Sequence, residues 1–283
     1  MWEVDDVESI EVIEQGPVRA ALKIKRRFLD STIDQVMYLY QDIPRIDFAN
    51  VIDWKEKHIL LKAAFPVDIN ADKATYEIQY GNVERPTHWN TSWDYARFEV
   101  CAHKWADLSE GGYGVSLLND CKYGHDIKDS IMRLTLLKSA TSPNVDADRE
   151  IHQFTYSLYP HAGGWKESQV PTMAYSLNCP MYTKLEDAHE GELPAELSLV
   201  NVDQENVIIE VVKKAEDSEA IIIRLYECYN MRTKVNCQFF HELQRVAECD
   251  LMENEIEEIN SQGNHFAFDI KPYEIKTFKL KLK

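Results

Sequence analysis

The chain has 283 residues, of which 45% are hydrophobic and 28% charged, enough to bury a sizeable core over one or two domains. Its formal net charge of −17 is spread along the length, with 11 Lys and Arg against 19 Asp and Glu in residues 190–283 and 20 against 29 before them. That balance repels phosphate backbones and anionic lipid, so neither nucleic acid nor membrane is expected as a partner; with no apolar run of bilayer length and no secretion-like opening in MWEVDDVESIEVIEQG, the expected location is cytoplasmic.

The dominant period along the chain is two. Val18, Ala20, Leu22 and Ile24 alternate with Arg19, Lys23 and Lys25 after a Gly16-Pro17 turn, which predicts a half-buried strand. QVMYLYQD follows as its hairpin partner across Leu29-Asp30-Ser31. Further strands are expected at 48–54, at 58–65 before Pro66, and at 75–80 before Gly81-Asn82. Residues 84–126 hold three of the six tryptophans, Trp89, Trp93 and Trp105, among Asp, Asn, Arg and His. Such a mixture suits either a sugar-facing surface or a buried knot between sheets. Within it, Phe98, Val100 and Ala102 alternate with Arg97, Glu99, Cys101 and His103. This predicts a strand paired with 113–118 across the Glu110-Gly111-Gly112 turn, with 119–124 as a loop at the strand end.

Farther on, 131–137 is expected as a strand and 138–150 as a polar loop. Phe154, Tyr156 and Leu158 predict a strand that stops at Pro160, and His161-Ala162-Gly163-Gly164-Trp165 reads as a tight turn. No window shows helical apolar spacing over three turns. The polar stretch 186–196 reads as a linker. Beyond it, strands are expected at 197–202, 207–213, 220–229 and 266–270, with Leu280 and Leu282 in a last strand and a bulge near Thr277, where the phase slips. Residues 240–261 read as strand and loop rather than helix. The six cysteines form no C-x-x-C pair and read as free thiols. Many short strands between turn residues predict an all-β protein of sandwich type, ending in a sandwich of Ig-like size.

The strings ERPTHWNTSWDYARFEVCAHKWADLSE, GYGVSLLNDCKYG and FTYSLYPHAGGW, in this order and spacing, resemble the C-terminal half of the family 38 glycoside hydrolases, the retaining α-mannosidases, and above all their cytosolic and vacuolar branch. VIIEVVKKAEDSEAIIIRLYE and PYEIKTFKL carry the resemblance to the C-terminus. It implies a large two-sheet supersandwich of galactose mutarotase-like form over 1–185, a linker at 186–196 and a small Ig-like β-sandwich at 197–283. It also implies that the Asp nucleophile and one divalent metal, zinc or similar, belong to an N-terminal catalytic domain outside this chain. The chain then reads as an excised C-terminal region, inactive alone and without a cofactor of its own. Its partners would be its own N-terminal catalytic domain and mannose-containing glycans. The face left uncovered would favour self-association into a homo-oligomer.

In enzymes of this kind β-domain loops pack against the catalytic domain and close one side of the sugar pocket. The residues this implies, substrate-proximal or interdomain, are Arg85, His88, Trp93, Asp94, Arg97, Asn119, Asp120 and Tyr123. Arg and Asn would donate to sugar hydroxyls, Trp93 would line the pocket and Asp94 would orient Arg97. The alternative is a free-standing carbohydrate-binding sandwich with Trp89, Trp93 and Trp105 as its platform. No catalytic residue is assigned within the chain. Asp94, Glu99, Asp107, Asp120 and Asp126 supply carboxylates, but a retaining glycosidase needs a pair about 5–5.5 Å apart and no pairing stands out. Gly114-Val115-Ser116 lacks the last glycine of a nucleophile elbow, and Gly111-Gly112-Tyr113-Gly114 lacks the Gly-Lys-Ser/Thr of a phosphate loop. Cys101, His103 and the His125-Asp126 pair fall short of the three or four convergent ligands of a zinc site, and no metal is assigned to them.

Overall fold

The computed structural model describes residues 2–283. They form two compact units: residues up to Ile78 with Asn82–Tyr182, and Thr183–Lys283 with Gln79–Gly81. No helix among the described residues is long and apolar enough to cross a membrane.

The first unit contains β1 (Val7–Gln15), β2 (Arg19–Phe28), β3 (Ser31–Tyr40), β4 (Ile46–Asp53), β5 (Leu61–Pro66), β6 (Lys73–Ile78), β7 (Gly81–Pro86), the single turn α1 (Ser92–Tyr95), β8 (Val100–Cys101), β9 (Trp105–Ser109), β10 (Tyr113–Asn119), β11 (Gly124–Lys128), β12 (Ile131–Leu137), β13 (Ile151–Ala162) and α2 (Val170–Asn178). Nine strands make one sheet in the order β1-β2-β3-β4-β13-β10-β9-β6-β7, and four make a second, β5-β12-β11-β8. The core between the sheets gathers Trp54, Ile52, Phe154, Leu117, Leu134 and Met132. The nine-stranded sheet is wider than its cover. Ile10, Val12 and Leu39 share the inner face with core residues, because Ile10 opposes Ile24 and Leu39 opposes Ile46, yet they stay 61%, 59% and 53% exposed.

The β2–β3 hairpin closes as its alternation predicts. Phe28 opposes Ser31, leaving Leu29 and Asp30 as a two-residue loop with Leu29 at φ 53°. The expected pairing of 97–103 with 113–118 is corrected. The partner of β10 is β9, in register from Ser109 opposite Gly114 to Trp105 opposite Leu118. Val100–Cys101 instead pairs with Gly124 and His125 in the other sheet. The sequence hid β9 because residues 105–108 are buried on both faces, so no polar alternation marks them. The same double burial explains β10: Leu117 faces the inter-sheet core, while Leu118 joins Trp105, Tyr159, Val170 and Ala174 on the opposite face beneath α2.

Helix α2 is too short to show three turns of periodicity, so it went unpredicted. Packing stabilises it rather than propensity. Val170 and Ala174 are buried, Pro171 sits in the first turn, and the buried Arg45 anchors the helix to the sheet. Arg45 bonds Asp47 Oδ1 at 2.6 Å, the Met173 carbonyl at 3.1 Å and Ser176 Oγ at 2.8 Å. The strand expected to stop at Pro160 runs on to Ala162. The β4 ladder has already ended at Leu158 opposite Ile46, so a proline beyond it breaks no hydrogen bonds on that side.

The second unit is a smaller sandwich: β14 (Val200–Val202), β15 (Val207–Lys214), β16 (Ile221–Glu227), β17 (Thr233–Phe239), β18 (Leu243–Cys249), β19 (Glu255–Ile259), β20 (Ser261–Gln262), β21 (His265–Ile270) and β22 (Ile275–Leu282). Sheets β14-β17-β21-β20 and β15-β16-β22-β18-β19 enclose Ile223, Val235, Phe239, Val246, Phe266 and Phe278. Residues 240–261 resolve as strands and turns, as expected. The bulge expected near Thr277 is absent: Thr277 is in register with both Arg224 and Cys249, and the irregularity lies across the ladder at Leu243/Arg245. The phase slips there because Thr277 is itself buried, accepting from Arg224 Nε at 3.0 Å. At the end of β16 the fully buried Glu227 accepts from Asn206 Nδ2 and from the amides of Tyr229, Asn230 and Tyr273 at 2.7–3.0 Å. All six cysteines are free thiols.

Candidate functional site

After β7 ends at Pro86 the chain crosses the end of the first sandwich as a loop. Thr91 caps α1: its Oγ1 accepts from the Asp94 amide at 3.1 Å and donates to Asp94 Oδ2 at 2.8 Å, while Oδ2 also accepts from the Thr91 amide at 3.2 Å. The turn sets Tyr95 edge-to-face against Trp89 (5.4 Å, 84°) and Phe98 (5.7 Å, 71°). From β11, the Lys128 ammonium lies 3.4 Å from the Trp89 ring centroid. Beneath this clasp lies a cavity of about 30 Å³, with Tyr76, Arg85, His88, Asp94, Arg97 and His125 among its walls.

Three buried polar atoms in that wall have no hydrogen-bond partner among the described residues: Arg85 Nε, His88 Nδ1 and His125 Nε2. The His125 ring is fully buried and meets Tyr76 edge-on at 6.5 Å. Its Nδ1 lies 3.3 Å from the Tyr123 carbonyl, to which it donates. Burial pushes the His125 pKa down to about 4, against the opposing pull of the Tyr123 carbonyl, Asp126 and Glu99. The ring is therefore neutral near pH 7, and Nε2 presents a lone pair. Burial likewise raises the Tyr76 hydroxyl, whose ring carries the Arg85 guanidinium 5.5 Å from its centroid. His88 Nδ1 is 3.8 Å and Arg97 Nη1 4.0 Å from the Asp94 carboxylate, both beyond hydrogen-bond reach.

Of the residues the sequence singled out, Arg85, His88, Asp94 and Arg97 come together here; the others do not. Trp93 projects into solvent, 79% exposed, and is not part of the cavity wall. Asn119 is buried and closes the β10–β11 loop, donating to the His103 carbonyl and accepting from the Lys122 amide, each at 2.7 Å. Asp120 accepts from the Thr155 amide at 2.8 Å and borders a groove over β2, β3, β4 and β13. Tyr123 packs its ring 5.1 Å from His103. The three-tryptophan platform does not form: Trp105 is buried against Trp165, and one face of Trp89 is occupied by Lys128. His125, weighed in the sequence only as a metal ligand, and Lys128 are the residues that sequence reasoning did not bring to this site. The signal for the strand that carries them was the alternation of His125 and Ile127 against Asp126 and Lys128 just after the loop read at 119–124.

The nearby carboxylates are already neutralised. Lys62 bridges Glu99 at 2.7 Å and Asp126 at 2.6 Å, and Arg133 meets Asp126 at 2.8 Å. Asp107 accepts from Ser116 Oγ at 2.7 Å and His161 Nε2 at 2.8 Å, with the Ser109 hydroxyl also donating to it. This is not a nucleophile triad. Serine and aspartate meet the same ring nitrogen, whereas a triad uses both, and all three side chains are buried. Among the described residues no group of three or more His, Cys, Asp or Glu side chains is placed to hold a metal ion.

Comparison with known proteins places this architecture. Residues 1–146 match the family described as Glycosyl hydrolases family 38 C-terminal domain, and residues 206–278 the Glycosyl hydrolases family 38 C-terminal beta sandwich domain. The chain belongs to the C-terminal region of glycoside hydrolase family 38. This family 38 region is 38% identical over 280 residues to α-mannosidase G of Dictyostelium discoideum, covering 95% of this chain and 26% of that protein. It is 38% identical over 259 residues to human α-mannosidase 2C1, covering 90% and 25%, and 34% identical to an α-mannosidase of Saccharomyces cerevisiae, covering 84% and 24%. It thus spans about a quarter of the length of these relatives. The crystal structure of an α-mannosidase from Enterococcus faecalis superposes with a TM-score of 0.81 at 16% identity, over 96% of this chain and 35% of that one, and shows the same fold.

Proposed function

We propose that this chain is the non-catalytic C-terminal β-sandwich portion of a cytoplasmic α-mannosidase, which hydrolyses terminal α-mannosides with retention once an N-terminal catalytic domain supplies the nucleophile and the divalent metal. In this reading residues 1–185 form the large sandwich, 186–196 a linker and 197–283 the small terminal one. The loop over 84–99 packs on the catalytic domain and closes one wall of the sugar pocket. The observation that carries the reading is the convergence of Arg85, His88, Asp94 and Arg97 on one cavity with buried hydrogen-bonding atoms to spare. Donors and acceptors held in place before the sugar arrives orient it at little entropic cost. The chain's own carboxylates argue for a supporting role. Asp94 is held by the helix cap, Glu99 and Asp126 by Lys62 and Arg133, and Asp107 by Ser116 and His161, so these four are engaged in structural contacts.

The test is hydrolysis of an aryl α-mannoside by the chain alone, and again after mixing with a separately expressed catalytic portion. The expected result is silence alone and turnover on mixing, reduced at least tenfold by Arg85→Met. Turnover by the chain alone overturns the reading.

A further inference from the structure

The cavity under the 84–99 loop has a size and a polarity that together specify its guest. A volume of about 30 Å³ is that of two or three water-sized groups, since each needs about 10–15 Å³, so a pyranose ring stays outside. The wall offers opposite demands. Arg85 Nε–H is a buried donor without an acceptor, and His125 Nε2 is a buried acceptor without a donor, because its partner nitrogen is committed to the Tyr123 carbonyl. Buried polar atoms of this kind are matched in native proteins, and each one left unmatched is costly. A carboxylate or phosphate would satisfy Arg85 but set its charge against the His125 lone pair. An ammonium would satisfy His125 but meet Arg85. A hydroxyl both donates and accepts, and it is small enough.

We infer that this cavity is a hydroxyl-binding site, in which one hydroxyl donates to His125 Nε2 and accepts from Arg85 Nε. The hydroxyl belongs to water in the resting protein and to a sugar when one is bound. Asp94 and Arg97 in the same wall supply an acceptor and a donor for a neighbouring hydroxyl, as a polyol requires. The sugar half of this inference rests on the pocket-closing reading; the hydroxyl half rests on the cavity alone.

The test has two arms on the full chain. In the first, the imidazole nitrogens of ¹⁵N-histidine-labelled protein are followed while methyl α-mannoside is added. The expected result is a saturable shift of the His125 Nε2 signal, with at least tenfold weaker binding in Arg85→Met. That variant keeps the stem of a partly exposed side chain, and thermal melting checks that it folds. In the second arm, a high-resolution crystal structure without sugar is expected to show a water bonded to both Arg85 Nε and His125 Nε2. Water in place with no response to the mannoside overturns the sugar half and upholds the hydroxyl site. Neither water nor response overturns the inference altogether. Restored mannosidase activity on mixing, with a His125 signal inert to sugar, leaves the pocket-closing reading standing without it.

Discussion

His125 predicts a specific acid weakness. Its pKa stands at about 4 in the fold against the ordinary value of 6.5, so between those values the unfolded chain binds a proton that the folded chain refuses. Stability from this group is complete above about pH 6.5 and is lost as pH falls towards 4; the full loss is about 3 kcal/mol, and about 2 kcal/mol has gone by pH 5. Asp126 and Glu99 favour the charged ring, but both are paired with Lys62, and the Arg85 guanidinium lies in the same cavity wall. The assay is urea unfolding at pH 7.5 and 5.0 for the natural chain and for His125→Phe. All six tryptophans lie at or before residue 165, so tryptophan fluorescence reports the first unit alone. Surface carboxylates respond to acid equally in both proteins, so the difference between the two pH responses isolates His125. The natural chain should lose about 2 kcal/mol more than the variant. Equal losses would refute the buried neutral imidazole; if the phenylalanine variant fails to fold, His125→Gln serves instead.

Other substitutions test the frame around the site. A Cβ at residue 114 would lie 2.3 Å from His161 Cε1 and 2.4 Å from Ser109 Oγ, so Gly114→Ala should cost about 2–3 kcal/mol in the same fluorescence melt. Glu227→Ala removes the shared acceptor of four buried or partly buried donors and should destabilise the second unit by roughly 3–5 kcal/mol, read as faster hydrogen exchange across residues 207–282 with the first unit unchanged. Trp93→Ala removes a side chain that is 79% exposed and should shift stability by less than about 0.5 kcal/mol.

Strands with one dry face were legible because burial imposes alternation: β2, β3 and β12 stand where the pattern puts them. Where both faces are covered the pattern vanishes, which is why β9 was missed and its role given to 97–103, whose Phe98 turns out to be exposed. Helix α2 is packed on the sheet through Val170 and Ala174 and anchored by Arg45, more than 120 residues upstream, and no local window contains those contacts. The site follows the same rule. Arg85, His88, Asp94 and Arg97 lie within one loop, so proximity in sequence carried them together. Asn119 and Asp120 share the motif that marks the family, but the fold uses them to hold the β10–β11 loop and the Thr155 amide. His125 completes the cavity from another strand. Its strand pairs with Val100 on one side and Leu134 on the other, and those distant pairings set its place in the cavity wall.

The margin of the nine-stranded sheet constrains how anything can attach there. β1 is a free edge, but register breaks at Val7/Ser9 and Val12/Glu14 leave only a short regular ladder between them, and Glu8, Glu11 and Glu14 line the strand. A second copy adding itself strand to strand would meet an interrupted hydrogen-bond register and like charge. The side chains of Ile10, Val12 and Leu39 have no such protection on the inner face. Any association at this edge of the first unit would therefore be face-on, by covering side chains. It would depend weakly on salt and strongly on the apolar character of three residues, and lengthening the sheet would contribute nothing to it.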